Sequence, residues 1–141
     1  MKIVIDMDNT LTDLNGKHVR PGIEALLKLL VNDRHTLVLW TNSPKMRAMD
    51  ILRDNQLMKY FSEFIYREDY DPSNRGLNKD IGKIGADIII DDDPTEIEYN
   101  KKKKKRGILV KSFMSTSTNI ETDEYKKIYS QVKKRKIAGL F

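Results

Sequence analysis

Two carboxylates one residue apart, Asp6 and Asp8, follow directly on the apolar β-branched run Ile3-Val4-Ile5. At the end of a buried segment such a pair repels unless a cation or a proton lies between its members. A second acidic cluster, Asp91-Asp92-Asp93, ends another apolar run, Ile88-Ile89-Ile90. A divalent cation answers both repulsions, and an oxygen-rich donor set selects Mg²⁺ over softer metals. Two histidines and no cysteine argue against zinc. An aspartate after a strand also caps turns. That structural role suffices for either cluster alone, but not readily for both.

These groups need elements to hold them. Lys2 to Asp6 has the pattern of a buried central strand. From Pro21, the positions Ile23, Leu26, Leu27 and Leu30 recur at helical spacing, and Asn32-Asp33 closes the helix. Thr36 to Trp40 is a second strand ending at Thr41-Asn42, and Ser43-Pro44 opens a helix over 44–55. Phe61 to Tyr66 is a weaker third strand, and Glu68 to Asn78 is a polar loop. Lys79 to Ile84 is a short helix stopped by Gly85, ahead of a fourth strand over 88–90. Gly107 to Val110 is a fifth strand, and Thr122 to Lys136 is helical.

Strands alternating with helices predict an α/β fold: a three-layer, Rossmann-like parallel sheet of about five strands with helices on both faces. Ligands in such sheets bind beyond the carboxyl ends of the strands. Asp6 with Asp8, Thr41 with Asn42, and Asp91 with Asp92 all fall at that edge, so the expectation is that they converge.

The 141 residues suit one domain over 1–141, with 39% apolar and 33% charged residues. The absence of cysteine excludes disulfide staples and thiol catalysis. No apolar stretch reaches the ~20 residues of a membrane span, and Met1-Lys2 leads straight into the first strand rather than into a leader. The expected setting is soluble and cytoplasmic, or nuclear in a nucleated cell. The net charge of +5 is local, because Lys101 to Arg106 supplies six consecutive cations. The 26 basic residues less these six leave 20 against 21 acidic ones. A solvated loop is the plain reading of the run, and a nucleic-acid contact is the alternative.

Asp6-Met7-Asp8-Asn9-Thr10-Leu11 resembles the DxDxT motif of the haloacid dehalogenase superfamily, most of whose members are Mg²⁺-dependent phosphatases. Leu39-Trp40-Thr41-Asn42-Ser43, Lys79 and Ile90-Asp91-Asp92-Asp93-Pro94 resemble its other motifs, in the same order. Within the superfamily the chain looks most like the small phosphatases related to those acting on the C-terminal domain of RNA polymerase II, the NLI-interacting-factor-like group. Val19-Arg20-Pro21-Gly22, Tyr66-Arg67-Glu68-Asp69 and Asn78-Lys79-Asp80 add to that likeness. Asn9 stands where the group usually has Glu, Asn42 where it has Ala, and Asp92 where it often has Asn. These departures bear on the substrate rather than on the chemistry.

The resemblance implies roles. Asp6 would attack phosphorus and form an aspartyl-phosphate. Asp8 would protonate the leaving oxygen and then activate water. Asp6, the Asp8 main-chain carbonyl and Asp92 would hold Mg²⁺, with Asp91 orienting its water shell from a second layer. Thr41 and Asn42 would donate to phosphoryl oxygens, and Lys79 would supply a second cation against the charge of the transferring group. Thr10 would fix the loop after Asp8, and Asp93 would cap the turn before Pro94. His18, His35 and Asp13 read as ordinary surface residues, while Arg67 and Arg75 are candidate substrate contacts.

The superfamily's cap slots are short here, with 11–20 room for little more than a hairpin and 68–78 a loop. The site should be open or minimally capped, suited to a phosphoprotein or another phosphorylated macromolecule. A nucleotide or nucleic-acid end is the alternative substrate, and a phospho-ligand or nucleic-acid binding module without turnover is the alternative of another class.

Overall fold

The apolar runs fold as strands and the periodic stretches as helices. The computed structural model describes residues 1–114 and 120–134. Its strands are β1 (Lys2–Ile5), β2 (Thr36–Trp40), β3 (Glu63–Ile65), β4 (Ile88–Asp91) and β5 (Arg106–Leu109). All pair in parallel, in the order β3-β2-β1-β4-β5. Ile5 lies beside both Leu39 and Ile90, so the residues just past β1, β2 and β4 emerge together at one edge.

The helices are α1 (Ile23–Asn32), α2 (Lys45–Asp54), α3 (Arg67–Tyr70), α4 (Pro94–Lys102) and α5 (Glu124–Lys133). Alternate side chains of each strand serve opposite faces. Ile3, Ile5, Leu37, Leu39, Ile88 and Ile90 pack with Leu26, Leu27 and Leu30 of α1, Ile51 and Leu52 of α2, and Ile128 and Val132 of α5. Val4, Val38, Trp40 and Ile89 form the opposite layer with Ile81, Ala86 and Ile97 of α4. The three-layer expectation holds.

Local differences have physical causes. α1 begins at Ile23 because Gly22, at φ 79, turns the chain; a Cβ there would lie 2.4 Å from the Tyr125 ring of α5. β3 shrinks to three residues, and the turn after Lys79 is a 3-10 segment over Ile81–Ile84, ended by Gly85. The C-terminal helix runs to Lys133, and the expected extension to Lys136 lies outside the described residues.

The sequence reading overlooked two helices. Part of the expected loop 68–78 belongs to α3. Lys101 to Arg106 is not one solvated loop either: Lys101 and Lys102 close α4, Lys103 pairs with Asp80 at 2.8 Å, and Arg106 enters β5. α4 carries its own start signals. The Asp93 side chain accepts from the Thr95 N–H at 2.9 Å, Pro94 occupies the first turn, and lysines face the helix's negative end.

Candidate active site

Strand order reverses between β1, whose successor lies to one side, and β4, reached on the other. A crevice opens there at the carboxyl ends. The Asp6 N–H donates to Ile90 O at 3.1 Å, which ties the first acidic residue to β4. After it the chain doubles back: the N–H groups of Thr10, Leu11 and Thr12 all point to Met7 O, and Asn9 takes φ 63. Arg20, buried, holds this turn by donating to Thr10 O at 2.7 Å and to the carbonyls of Asn9 and Lys111.

The charged centre is tightly paired. Lys79 Nζ donates to Asp6 Oδ1 and to Asp91 Oδ2, both at 2.8 Å, and all three groups are buried. Desolvation pushes the Lys79 ammonium down, but Asp6 and Asp91 outweigh it and hold the group above the usual lysine range, so it stays charged. Burial raises the Asp6 carboxyl well above the usual carboxylate range, with Lys79 opposing and Asp91 adding to the rise. Thr10 Oγ1 lies between Asp6 Oδ2 at 3.0 Å and Asp92 Oδ1 at 3.2 Å, so one hydroxyl bridges the two clusters.

Asp6, Asp91 and Asp92 each offer an oxygen within 4.8 Å of the others. Asp91 already accepts from Lys79 on Oδ2 and from the Asp93 N–H, at 2.9 Å, on Oδ1. Its oxygens are thus engaged, which leaves Asp6 and Asp92 with more donor capacity. Asp92 Oδ2 takes the Ser112 hydroxyl at 2.5 Å. Six carboxylates and one ammonium line the cavity among the described residues. An all-oxygen set with that imbalance fits a hard divalent cation.

Asp8 points elsewhere. Its carboxylate meets Arg47 of α2, whose Nη1 lies 3.1 Å from Oδ2 and 3.0 Å from Oδ1. Burial raises the Asp8 carboxyl, against the pull of Arg47. Thr41, fully buried after β2, accepts the Ser43 N–H at 3.0 Å on Oγ1 and keeps its own proton to donate. Asn42 accepts from Arg67 Nε through its carbonyl at 2.9 Å and through Oδ1 at 3.3 Å. Arg67 therefore braces the turn after β2, and neither Arg67 nor Arg75 lines the cavity.

A buried polar network from α4 carries Lys79. Glu96 accepts from the Lys79 N–H at 2.8 Å and from Asn78 Nδ2 at 2.5 Å. Asn100 Nδ2 donates to Lys79 O at 2.8 Å, and its Oδ1 accepts from the Ile81 N–H at 3.2 Å. Asp6, Asp8, Thr41, Asn42, Lys79, Asp91 and Asp92 all line one open cavity of about 560 Å³, with Tyr70 and Ser112. Burial pushes the Tyr70 phenol up to about 12, so it stays protonated as a donor.

Asp13 is a correction to the surface reading. It is 3% exposed and accepts from the Lys17 and His18 N–H groups and the His18 ring. Asp93 caps as expected. Arg20 entered only through the Val19-Arg20-Pro21-Gly22 likeness, and Arg47, Tyr70, Glu96, Asn100 and Ser112 carry no motif of their own in the sequence.

A parallel sheet of this order, with acidic loops after β1 and β4 and a lysine between them, is the haloacid dehalogenase fold. A candidate β-phosphoglucomutase from Thermotoga maritima superposes with TM-score 0.70 at 14% identity, covering 93% of this chain and 99% of that one. A haloacid dehalogenase-superfamily hydrolase from Ehrlichia chaffeensis gives 0.63 at 14%, covering 92% and 96%. The core domain of a candidate phosphoglycolate phosphatase from Streptococcus pneumoniae TIGR4 gives 0.56 at 16%, covering 92% and 94%. The chain belongs to the NLI interacting factor-like phosphatase family, whose model matches residues 1–138, and it is a phosphatase. No curated protein matches its sequence.

Proposed function

We propose that this phosphatase is a Mg²⁺-dependent phosphomonoesterase that works through an aspartyl-phosphate on Asp6. The observation that carries the reading is the buried Asp6–Lys79–Asp91 chain at 2.8 Å per contact, joined to Asp92 through Thr10. Lys79 draws the substrate phosphoryl toward an anionic nucleophile that would otherwise repel it. Asp6 attacks phosphorus, and the leaving oxygen takes its proton from Asp8; Asp8 then draws a proton from the water that cleaves the acyl phosphate. Thr41 and Asn42 donate to the equatorial oxygens. Asp6 and Asp92, with the Asp8 main-chain carbonyl, would hold Mg²⁺, which supplies charge neutralisation at the phosphoryl group. Asp91 orients from behind, and its contacts to Lys79 and the Asp93 N–H suit that role.

Short cap slots support a macromolecular substrate, such as a phosphoprotein. Thr12 pairs with Val19 in a tight hairpin, and 66–78 is only α3 and a turn held by Asp71. One observation favours the end of a nucleic acid instead. α4 starts at the cavity with Pro94 and Thr95 and ends in lysines, and Lys102 lines a cleft shared with Asn78 and Tyr99. Among the described residues no helix is long and apolar enough to cross a membrane.

The test is turnover with Mg²⁺ on phosphopeptides, nucleotides, 3′- and 5′-phosphorylated oligonucleotides and sugar phosphates, beside Asp6→Asn. Activity that survives in Asp6→Asn removes the nucleophile assignment. Oligonucleotide turnover that collapses when Lys101, Lys102, Lys104 and Lys105 are neutralised selects the nucleic-acid substrate.

A further inference from the structure

Arg47 belongs to no motif, yet it ties the loop after β1 to the turn after β2 at the rim of the site. It sits in the first turn of α2. Its Nη1 donates to Asp8 Oδ2 at 3.1 Å and to Ser43 Oγ at 2.9 Å, and its Nη2 donates to Leu14 O. Asp8 and Leu14 come from the loop after β1, and Ser43 from the turn after β2 that also carries Thr41. Ser43 is itself fixed, because its N–H donates to Thr41 Oγ1.

We propose that Arg47 is a positioning residue for the reaction, locking the Asp8 carboxylate to the turn that holds Thr41 so that it faces the leaving oxygen. The proposal rests on the reading above that Asp8 handles that proton. Three observations carry it. Arg47 is absent from the cavity lining while Asp8 is present, so its reach to the substrate runs through Asp8. One guanidinium nitrogen spans the whole Asp8 carboxylate, with Nη1 3.1 Å from Oδ2 and 3.0 Å from Oδ1. A carboxylate gripped at both oxygens has its orientation set by the cation that grips it. Finally, a guanidinium suits the task geometrically, because its planar fork divides the contacts between two nitrogens, Nη1 on Asp8 and Ser43 and Nη2 on Leu14, where an ammonium has one.

A group that transfers a proton must be held within a fraction of an ångström of its partner. The need differs between substrates. A nitrophenolate departs without a proton, whereas an alkoxide does not. Loss of Arg47 should therefore matter in proportion to how badly the leaving group needs Asp8.

The experiment measures kcat/KM, which reports phosphoryl transfer to Asp6, for p-nitrophenyl phosphate and for an alkyl phosphate such as a phosphoserine peptide. Wild type, Arg47→Ala, Arg47→Lys, Asp8→Asn and the Arg47→Ala/Asp8→Asn double variant are compared. Arg47→Ala should lose about 10- to 100-fold on the alkyl ester and under about 3-fold on the nitrophenyl ester. Arg47→Lys should recover part of the alkyl loss, and the double variant should match Asp8→Asn. An equal loss on both esters, or a further loss in the Asp8→Asn background, overturns the assignment. A wild type inactive on both esters, or an active Asp6→Asn, defeats the underlying phosphatase mechanism instead and takes this proposal with it.

Discussion

A single ammonium holds the two acidic strand ends together: Lys79 touches Asp6 and Asp91 at equal distance, and all three are out of water. Removing one member of such a set strands the others. Lys79→Met is expected to abolish turnover and to destabilise the metal-free protein by about 3 kcal/mol at neutral pH, seen as a fall in melting temperature of roughly 10 °C. Thr10 makes a subtler link. Its hydroxyl spans Asp6 and Asp92, neither of which it replaces as a donor to a cation. Thr10→Val should therefore lower the apparent Mg²⁺ affinity about 10-fold, read from a Mg²⁺ titration of turnover, whereas Thr10→Ser should leave it near wild type. An unchanged titration in Thr10→Val would show that the bridge does not orient the donors.

At the scale of elements, the site depends on segments that dock on one another through polar groups. Asn100, fully buried on α4, satisfies Lys79 O and the Ile81 N–H together. Asn100→Ala orphans both, and we expect a loss of about 2 kcal/mol in urea unfolding together with a drop in turnover through misplaced Lys79. The hairpin that carries Leu14 docks on α2 through Gly16, at φ +70, where a Cβ would sit 2.5 Å from Ile51 Cγ1. Gly16→Ala should cost about 1–3 kcal/mol of stability, and its effect should be less than additive with that of Ile51→Ala. These dockings also explain what the sequence hid. β1, β2 and β4 were legible because their apolar runs end abruptly in Asp6, Thr41 and Asp91, and the order of motifs then located the site. α4 was not, because its inward positions are Glu96, Ile97 and Asn100, and a helix that buries a polar network shows little apolar period. Arg47 was equally hidden, since Asp8 lies 39 residues away and an isolated arginine looks like surface. Asp13 read as exposed for the same reason, with its partners supplied by a hairpin turn that only the fold creates.

Across the whole molecule, a parallel sheet sends every carboxyl end to one edge, and this chain loads that edge with charge of one sign. Six carboxylates face one ammonium around the cavity among the described residues. The apolar layers on both faces of the sheet sustain that imbalance. Its consequence is a linkage between metal, protons and stability. Burial raises the Asp6 carboxyl above its unfolded value, so folding the metal-free chain takes up a proton there. That contribution is present in acid and is lost as pH rises through the folded pKa. A divalent cation takes the place of the proton, so its stabilisation should grow over the same interval. Asp80, lowered by the hydrogen bond from Lys103, slopes the other way and loses its contribution as pH falls. So does Asp71, where burial works upward but the N–H groups of Arg75, Leu77 and Gly76 prevail. These opposing slopes cancel in a difference taken at one pH. The rise in melting temperature on replacing EDTA with Mg²⁺ should therefore be smaller at acid pH than at alkaline pH, where the stabilisation behind it approaches ~2.7 kcal/mol at a hundredfold excess over Kd. Asp6→Asn, which keeps the shape and removes the titrating charge, should flatten that dependence. A Mg²⁺ shift independent of pH, or equal in Asp6→Asn, would place the cation away from the Asp6 carboxylate.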